Sequence, residues 1–394
     1  MLNGSAASDP MAYVEGAGLV LPGDPIPTGT VLDAIDDRIS PDLRRSVEAM
    51  GISARHAAIA DYPAYLRGDG VREFAFTSTD LATAAVERCL GGWAGDPDRI
   101  DLVIAVTNTA DRPLPCLGYE VMARLKRRLP DGANVLNLQN MGCSSFLKAV
   151  EIAGAFLGQN PEKRVLIVVV EVLTGLADRL TARRYRSFRE IVAAGDAEAE
   201  PVMRDMQRFL FATLFGDAAV AFVLGREPDE GLLSVGPIAH ATNLDPADTE
   251  ILRMNDSGIH VPGNGVPYYE MANDVPRRGA VYVSEVLSRL ARKYRGTGPF
   301  AEGPNPRFDF YNIHTGSKKI LHGVFRKLDV DEAGEQARES FDVLDRYANT
   351  SACSVGLMLA RRCQSPSPQK VGLVVAFGVG FSASAAVICS RPHH

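Results

Sequence analysis

Residues 144–157 are spaced like a helix but are apolar on nearly every face; Lys148 and Glu151 carry the only charges. A surface helix shows one apolar stripe, whereas a helix that is apolar all round must be covered all round. Residues 351–361 form a second, mostly apolar stretch of helical spacing. A chain with two such helices needs layers on both sides of each. With 394 residues it is long enough to build them.

The candidate layers are short apolar, β-branched runs. In the first half, 12–21, 101–107, 134–138 and 164–171 read as strands; the last is Arg-Val-Leu-Ile-Val-Val-Val-Glu, a strand buried on both faces. Residues 215–224 run from a turn into a strand. In the second half, 308–313, 371–377 and 383–388 read as strands. Residues 40–49, 79–90 and 317–327 read as helices. Strand, buried helix, strand therefore occurs twice. This predicts two similar α/β halves, 1–225 and 226–394, each with a helix between sheets. The segment 177–208 stands apart. It is dense in Arg, Glu and Asp, with Arg183, Arg184, Arg186 and Arg189 clustered, and predicts a charged helical insertion in the first half.

Composition removes several function classes. Hydrophobic residues make up 46% and charged residues 23%, an ordinary globular balance that excludes a disordered chain or a coiled-coil rod. A net charge of −6 offers no general basic surface to nucleic acid. No apolar run reaches the roughly 18–20 residues of a membrane helix, and residues 1–11 are small and polar rather than signal-like. Six cysteines are too sparse for a disulfide scaffold, and the histidines are scattered without metal-ligand spacing. The expectation is a cytoplasmic protein with no bound metal.

Four short stretches carry candidate chemistry. In Asn140-Met-Gly-Cys-Ser-Ser145 a strand ends, Gly142 permits a turn, and Cys143 stands where the buried helix begins. A thiol at a helix N-terminus is expected to have a lowered pKa, and free backbone N–H groups there suit an oxyanion. The alternative is a small buried apolar residue. In Tyr311-Asn-Ile-His-Thr-Gly316, His314 ends a strand, either as a catalytic group or as a satisfied core histidine. In Tyr347-Ala-Asn-Thr-Ser-Ala352, Asn349 precedes a helix, where a capping role competes with a chemical one. The glycines of Ala376-Phe-Gly-Val-Gly-Phe-Ser382 permit either a close backbone approach or a plain hairpin.

Cys, His, Asn and a glycine turn in that order, each at an element junction, resemble the thiolase-fold condensing enzymes, in particular ketoacyl-ACP synthase III and chalcone-synthase-like type III polyketide synthases. Met50-Gly-Ile-Ser-Ala-Arg-His56 is similar to the family's early Gly-Ile-x-x-Arg segment. Leu214-Phe-Gly-Asp-Ala218 is similar to its Phe-Gly-Asp-Gly turn, and Asp274-Val-Pro276 and Arg346-Tyr-Ala-Asn-Thr-Ser351 to the type III pattern. The resemblance spans roughly residues 13–390. It implies a homodimeric, five-layer αβαβα enzyme with two similar halves and mixed sheets around buried helices.

The resemblance further implies that Cys143 is acylated by a CoA or acyl-carrier-protein thioester. The backbone N–H groups of Cys143 and Gly378 would form the oxyanion hole. His314 and Asn349 would stabilise the enolate formed when a malonyl-type extender loses CO₂, making this a β-ketoacyl synthase or polyketide synthase-like acyltransferase that needs no further cofactor. The alternatives are an acyltransferase of the same fold passing the acyl group to a hydroxyl, amine or carbon nucleophile, non-decarboxylative joining of two acyl chains, and an inactive partner of an active homologue. Departures bear on substrate. Thr315-Gly316-Ser317 replaces Pro-Gly-Gly after the histidine. Ala49 stands where a CoA-binding arginine is expected, and Trp93 does not match the adenine-stacking tryptophan, which favours a carrier-protein donor. Arg112, in Asp111-Arg-Pro113, replaces a methionine that crosses the dimer interface and would reach the partner's cavity or pair with Asp111. Tyr269 falls near a cavity-gating phenylalanine, and Phe215 is a further substrate-binding candidate. The arginine cluster of the insertion would dock an acidic carrier protein, close over the entrance, or form a solvated helical face.

Overall fold

The computed structural model describes residues 10–195, 200–227, 231–255, 268–272, 274–301, 306–365 and 369–390. The first half contributes β1 (Ala12–Val20), α1 (Pro41–Glu48), α2 (Ser78–Gly92), β2 (Ile100–Thr107), α3 (Leu117–Arg124), β3 (Asn134–Gln139), α4 (Ser145–Gln159), β4 (Arg164–Glu171), α5 (Glu200–Leu214) and β5 (Ala218–Gly225). The second contributes β6 (Leu233–Thr242), α6 (Val275–Tyr294), β7 (Phe310–Ile313), α7 (Lys318–Leu328), α8 (Glu335–Tyr347), α9 (Cys353–Gln364), β8 (Val371–Gly378) and β9 (Ser382–Ser390).

The strands run β7-β8-β9-β6-β1-β5-β4-β2-β3 across one mixed sheet. Read outward from its centre, β1-β5-β4-β2 and β6-β9-β8-β7 are the same path taken twice. Each begins with antiparallel pairs and ends with a parallel one. The two half-sheets are joined where Ala12, Tyr13 and Val14 pair with Val235, Ser234 and Leu233. The remaining unpaired positions of two edge strands satisfy each other there.

The period-two pattern of β4 explains the layering. Val165, Ile167 and Val169 face a central cluster, while Leu166, Val168 and Val170 face a cluster built on α2 and α3. A strand apolar on both faces needs cover on both. α4 and α9 lie in the central layer; α4 touches β2 and β4 on one side and β6 and β9 on the other, and α9 likewise touches strands of both halves. α6, with α7 against it, covers the outer face of the second half. The order of layers is αβαβα.

The charged segment is not a purely solvated appendage. It contains a short helix, Phe188–Ala193, followed by α5, which extends to Leu214 and buries Met206, Phe209, Phe211 and Leu214. Its charges lie on the opposite face, so charge density in the sequence hid an apolar stripe. Phe222 of β5 is fully buried against Phe146 of α4, with ring centroids 5.3 Å apart. Phe222→Ala is expected to destabilise the fold by about 3–5 kcal/mol, measured as a lower denaturant midpoint with an unchanged m-value.

Candidate active site

Three element junctions converge on a cavity of about 440 Å³ lined by Cys143, His314 and Asn349. Cys143 sits between β3 and α4. The turn before it uses positive φ at Asn140 and Gly142, and the Gly142 N–H donates to Asn108 Oδ1 at 2.9 Å. His314 extends the β7 ladder by one residue, its N–H donating to the Val375 carbonyl. Its ring stands edge-on to Phe377 at 5.5 Å. Asn349 is clamped by its backbone, donating to the Leu214 carbonyl and accepting from the Gly216 N–H. Its Oδ1 accepts from the Ser351 N–H at 2.9 Å, which orients the amide.

Gly378 ends β8 directly beside the nucleophile candidate. A Cβ there would lie 3.0 Å from both the backbone nitrogen and the sulfur of Cys143. Only glycine lets the two backbones approach so closely. Behind this turn the Ser382 hydroxyl meets Ser144 Oγ at 2.8 Å and accepts from Lys148 Nζ at 3.3 Å. Burial lowers the Lys148 pKa.

The electrostatics differ from the sequence expectation. Burial pushes the Cys143 thiol up to about 12, partly offset by Ser351, whose hydroxyl is 3.4 Å from the sulfur, and reinforced by nearby Glu171. Desolvation is the largest influence on the thiol, and α4 itself begins two residues further on, at Ser145. Burial also pushes His314 down to about 3. Thiol and imidazole are therefore both neutral at working pH. A neutral imidazole and a neutral amide keep their N–H donors across that range, an arrangement suited to a developing oxyanion.

Glu171 was not singled out in the sequence, although a carboxylate ending an apolar strand is a signal. It is fully buried and accepts from Asn108 Nδ2 at 2.5 Å, and burial pushes it up to about 7. Asn108 thus links Glu171 to the Cys143 turn. Phe215 lines the cavity as expected. Arg112 does not: its half-exposed side chain pairs with Glu120 at 3.1 Å. Asp111, its other expected partner, instead accepts the N–H groups of Ser78 and Thr79 at the start of α2. The backbone of Tyr269 pairs with Met254, while its side chain lies outside the described residues. Trp93 caps α2 and is buried in the outer cluster. Among the described residues no three His, Cys, Asp or Glu side chains form a metal-binding group, and no helix is long and apolar enough to cross a membrane.

Residues 306–389 match the family described as 3-oxoacyl-[acyl-carrier-protein] synthase III, C-terminal. The chain is 26% identical over 388 residues to a β-ketoacyl-[acyl-carrier-protein] synthase III of Caulobacter vibrioides, covering 96% of this chain and 99% of that protein. It is 23% identical to a probable polyketide synthase 1 of Dictyostelium discoideum, covering 96% of this chain but only 11% of that much longer protein. Among solved structures, the type III polyketide synthase domain of Steely1 from Dictyostelium superposes with a TM-score of 0.76 at 20% identity, over 96% of this chain and 99% of the other. CsyB complexed with CoA-SH superposes with a TM-score of 0.75 at 18% identity, over 97% and 100%.

The high thiol pKa sets a pH dependence. Thiolate is the reactive form, so alkylation of Cys143 by iodoacetamide, mapped by peptide mass, should rise about tenfold per pH unit above neutrality. A plateau near neutral pH would show an activated thiolate instead.

Proposed function

We propose that this chain, a thiolase-fold relative of the ketoacyl-ACP synthases III and chalcone-synthase-like enzymes, joins acyl thioesters by decarboxylative Claisen condensation. The observation that supports this most is the convergence of Cys143, His314 and Asn349 on one cavity, with the Gly378 backbone against the sulfur.

Cys143 attacks the donor thioester carbon; its S–H proton passes to the departing thiol, and an acyl-Cys143 thioester forms. The N–H groups of Cys143 and Gly378 hold the tetrahedral oxyanion. The extender's C–CO₂ bond then breaks, and its electron pair moves onto the thioester oxygen as an enolate. His314 and the Asn349 amide donate to that oxygen. The enolate carbon attacks acyl-Cys143, the acyl C–S bond breaks, a β-ketoacyl product leaves, and the Cys143 thiolate takes a proton from water. Covalent capture splits one hard step into two. The sequence balances without a further cofactor.

The donor arm is either CoA or a carrier protein's phosphopantetheine. Lys318 and Lys319 line the cavity, as do Ser46 of α1 and Ala49 just after it. The arginine-rich segment is tied to α1 by Ser187 donating to Asp42 and Ser40 to Glu190. Arg183, Arg184 and Arg189 are exposed on it, a cationic surface fitting an acidic carrier. The second copy in a homodimer would pair along β3, an edge strand with Leu136 exposed on it and Tyr119 exposed on neighbouring α3. Light scattering should give twice the chain mass; a monomer at micromolar concentration contradicts this.

His314→Ala and Asn349→Ala should each lower CO₂ release from a malonyl thioester by about 10²–10³-fold, while acylation of Cys143 suffers less. Undiminished decarboxylation in both variants, or acyl transfer to an alcohol or amine without CO₂ release, would replace condensation by simple acyl transfer.

A further inference from the structure

We infer that the acyl group carried by Cys143 is an uncharged, medium-length aliphatic chain lying along α5; this rests on the thioester reading above and specifies its donor. Met206, Leu210 and Leu214 stand at i, i+4 and i+8 on one face of α5, and all three line the cavity. The Leu214 carbonyl accepts the Asn349 N–H at 3.1 Å, so this end of the stripe lies at the reacting centre. At 1.5 Å per residue, Met206 is about 12 Å further along the helix. Leu252 and Val275 add apolar surface to the same cavity.

Polar groups are placed unevenly. Among the described residues, the titratable side chains lining the cavity are Cys143, His314, Lys318 and Lys319; no carboxylate or tyrosine joins them. The two lysines are in the first turn of α7, behind Gly316, whose carbonyl accepts from the Asn349 amide. The stripe on α5 offers only Gln207 as a polar neighbour in the lining. A charged or polyhydroxylated acyl group placed there would lose water without gaining partners. An alkyl chain gains from every methylene it buries. Methionine at the far end adapts to chains of different length.

Volume bounds the length. If each methylene-sized group takes about 30 Å³, a water's share of liquid volume, the cavity of about 440 Å³ holds on the order of fifteen groups. The thioester arm shares that space, which leaves room for about eight to ten carbons.

The test uses the full chain and S-acyl-N-acetylcysteamine thioesters from acetyl to hexadecanoyl, with benzoyl and succinyl as controls. Intact mass reads the rate of Cys143 acylation. The rate constant should rise about three- to fourfold per added methylene, peak at octanoyl to decanoyl, and fall beyond; succinyl should be poorest. Leu210→Trp should move the optimum to shorter chains and Leu210→Ala to longer ones, so the inference survives if one variant fails to fold. A second arm needs no chemistry: Cys143→Ala is titrated by calorimetry with unreactive S-decyl and S-ethyl thioethers of N-acetylcysteamine. Decyl should bind at least 100-fold more tightly, and Leu210→Trp added to this variant should remove that preference. Equal binding of the two thioethers, or acylation that favours acetyl, benzoyl or succinyl, overturns the inference while leaving the thioester reading intact. Tight decyl binding without acylation by any donor supports the cavity assignment and contradicts the thioester reading.

Discussion

Enclosure of α4 and α9 between the two half-sheets is the constraint from which the rest follows. A helix with so few charges cannot lie on a surface, so both half-sheets close over it, leaving only a strip through Ala155, Gly158 and Gln159 exposed. The residue before such a helix is consequently deep in the protein. Cys143 is buried and lines the cavity that α5, α6 and α7 leave at the junction of the halves.

Depth also sets the charge state. Desolvation outweighs hydrogen bonding at Cys143 and acts unopposed at His314, leaving a neutral thiol beside a neutral imidazole. In the proposed chemistry, neutral donors keep their strength for charge that develops during reaction. The supporting contacts fit this division. Asn108 and Glu171 hold the Cys143 turn, Ser351 orients the Asn349 amide, and Ser382 with Lys148 backs the Gly378 turn.

Apolar segments enclosed between layers were the most legible in the sequence. The strand Arg164–Glu171 was read to the residue, and the helix of 144–157 is present as Ser145–Gln159. Elements with one-sided burial were harder. β6, interrupted by Gly236 and Pro237, gave no strand reading. Neither α6, with Arg277, Arg278, Arg289 and Arg292 on it, nor α8 was recognised. The stripe Met206–Leu210–Leu214 was present at helical spacing but masked by surrounding charges. Cys143, His314, Asn349 and Gly378 each stand at a junction of elements, and it was the resemblance of their order to the thiolase-fold condensing enzymes that named them. Two properties were not legible because they depend on neighbours distant in the chain. One is the thiol's pKa, a matter of solvent exposure. The other is the partner of Arg112, which is Glu120 one helix turn into α3 rather than the adjacent Asp111.

The central claim is that Cys143 carries the acyl group between two thioesters. Intact-protein mass spectrometry of the wild type and Cys143→Ala, each incubated with octanoyl-CoA and octanoyl carrier protein, tests it most directly. The account predicts one octanoyl adduct on the wild type and none on Cys143→Ala, with the adduct discharged on adding malonyl thioester. Equal labelling of the two proteins, or an adduct that maps to another residue, would contradict it.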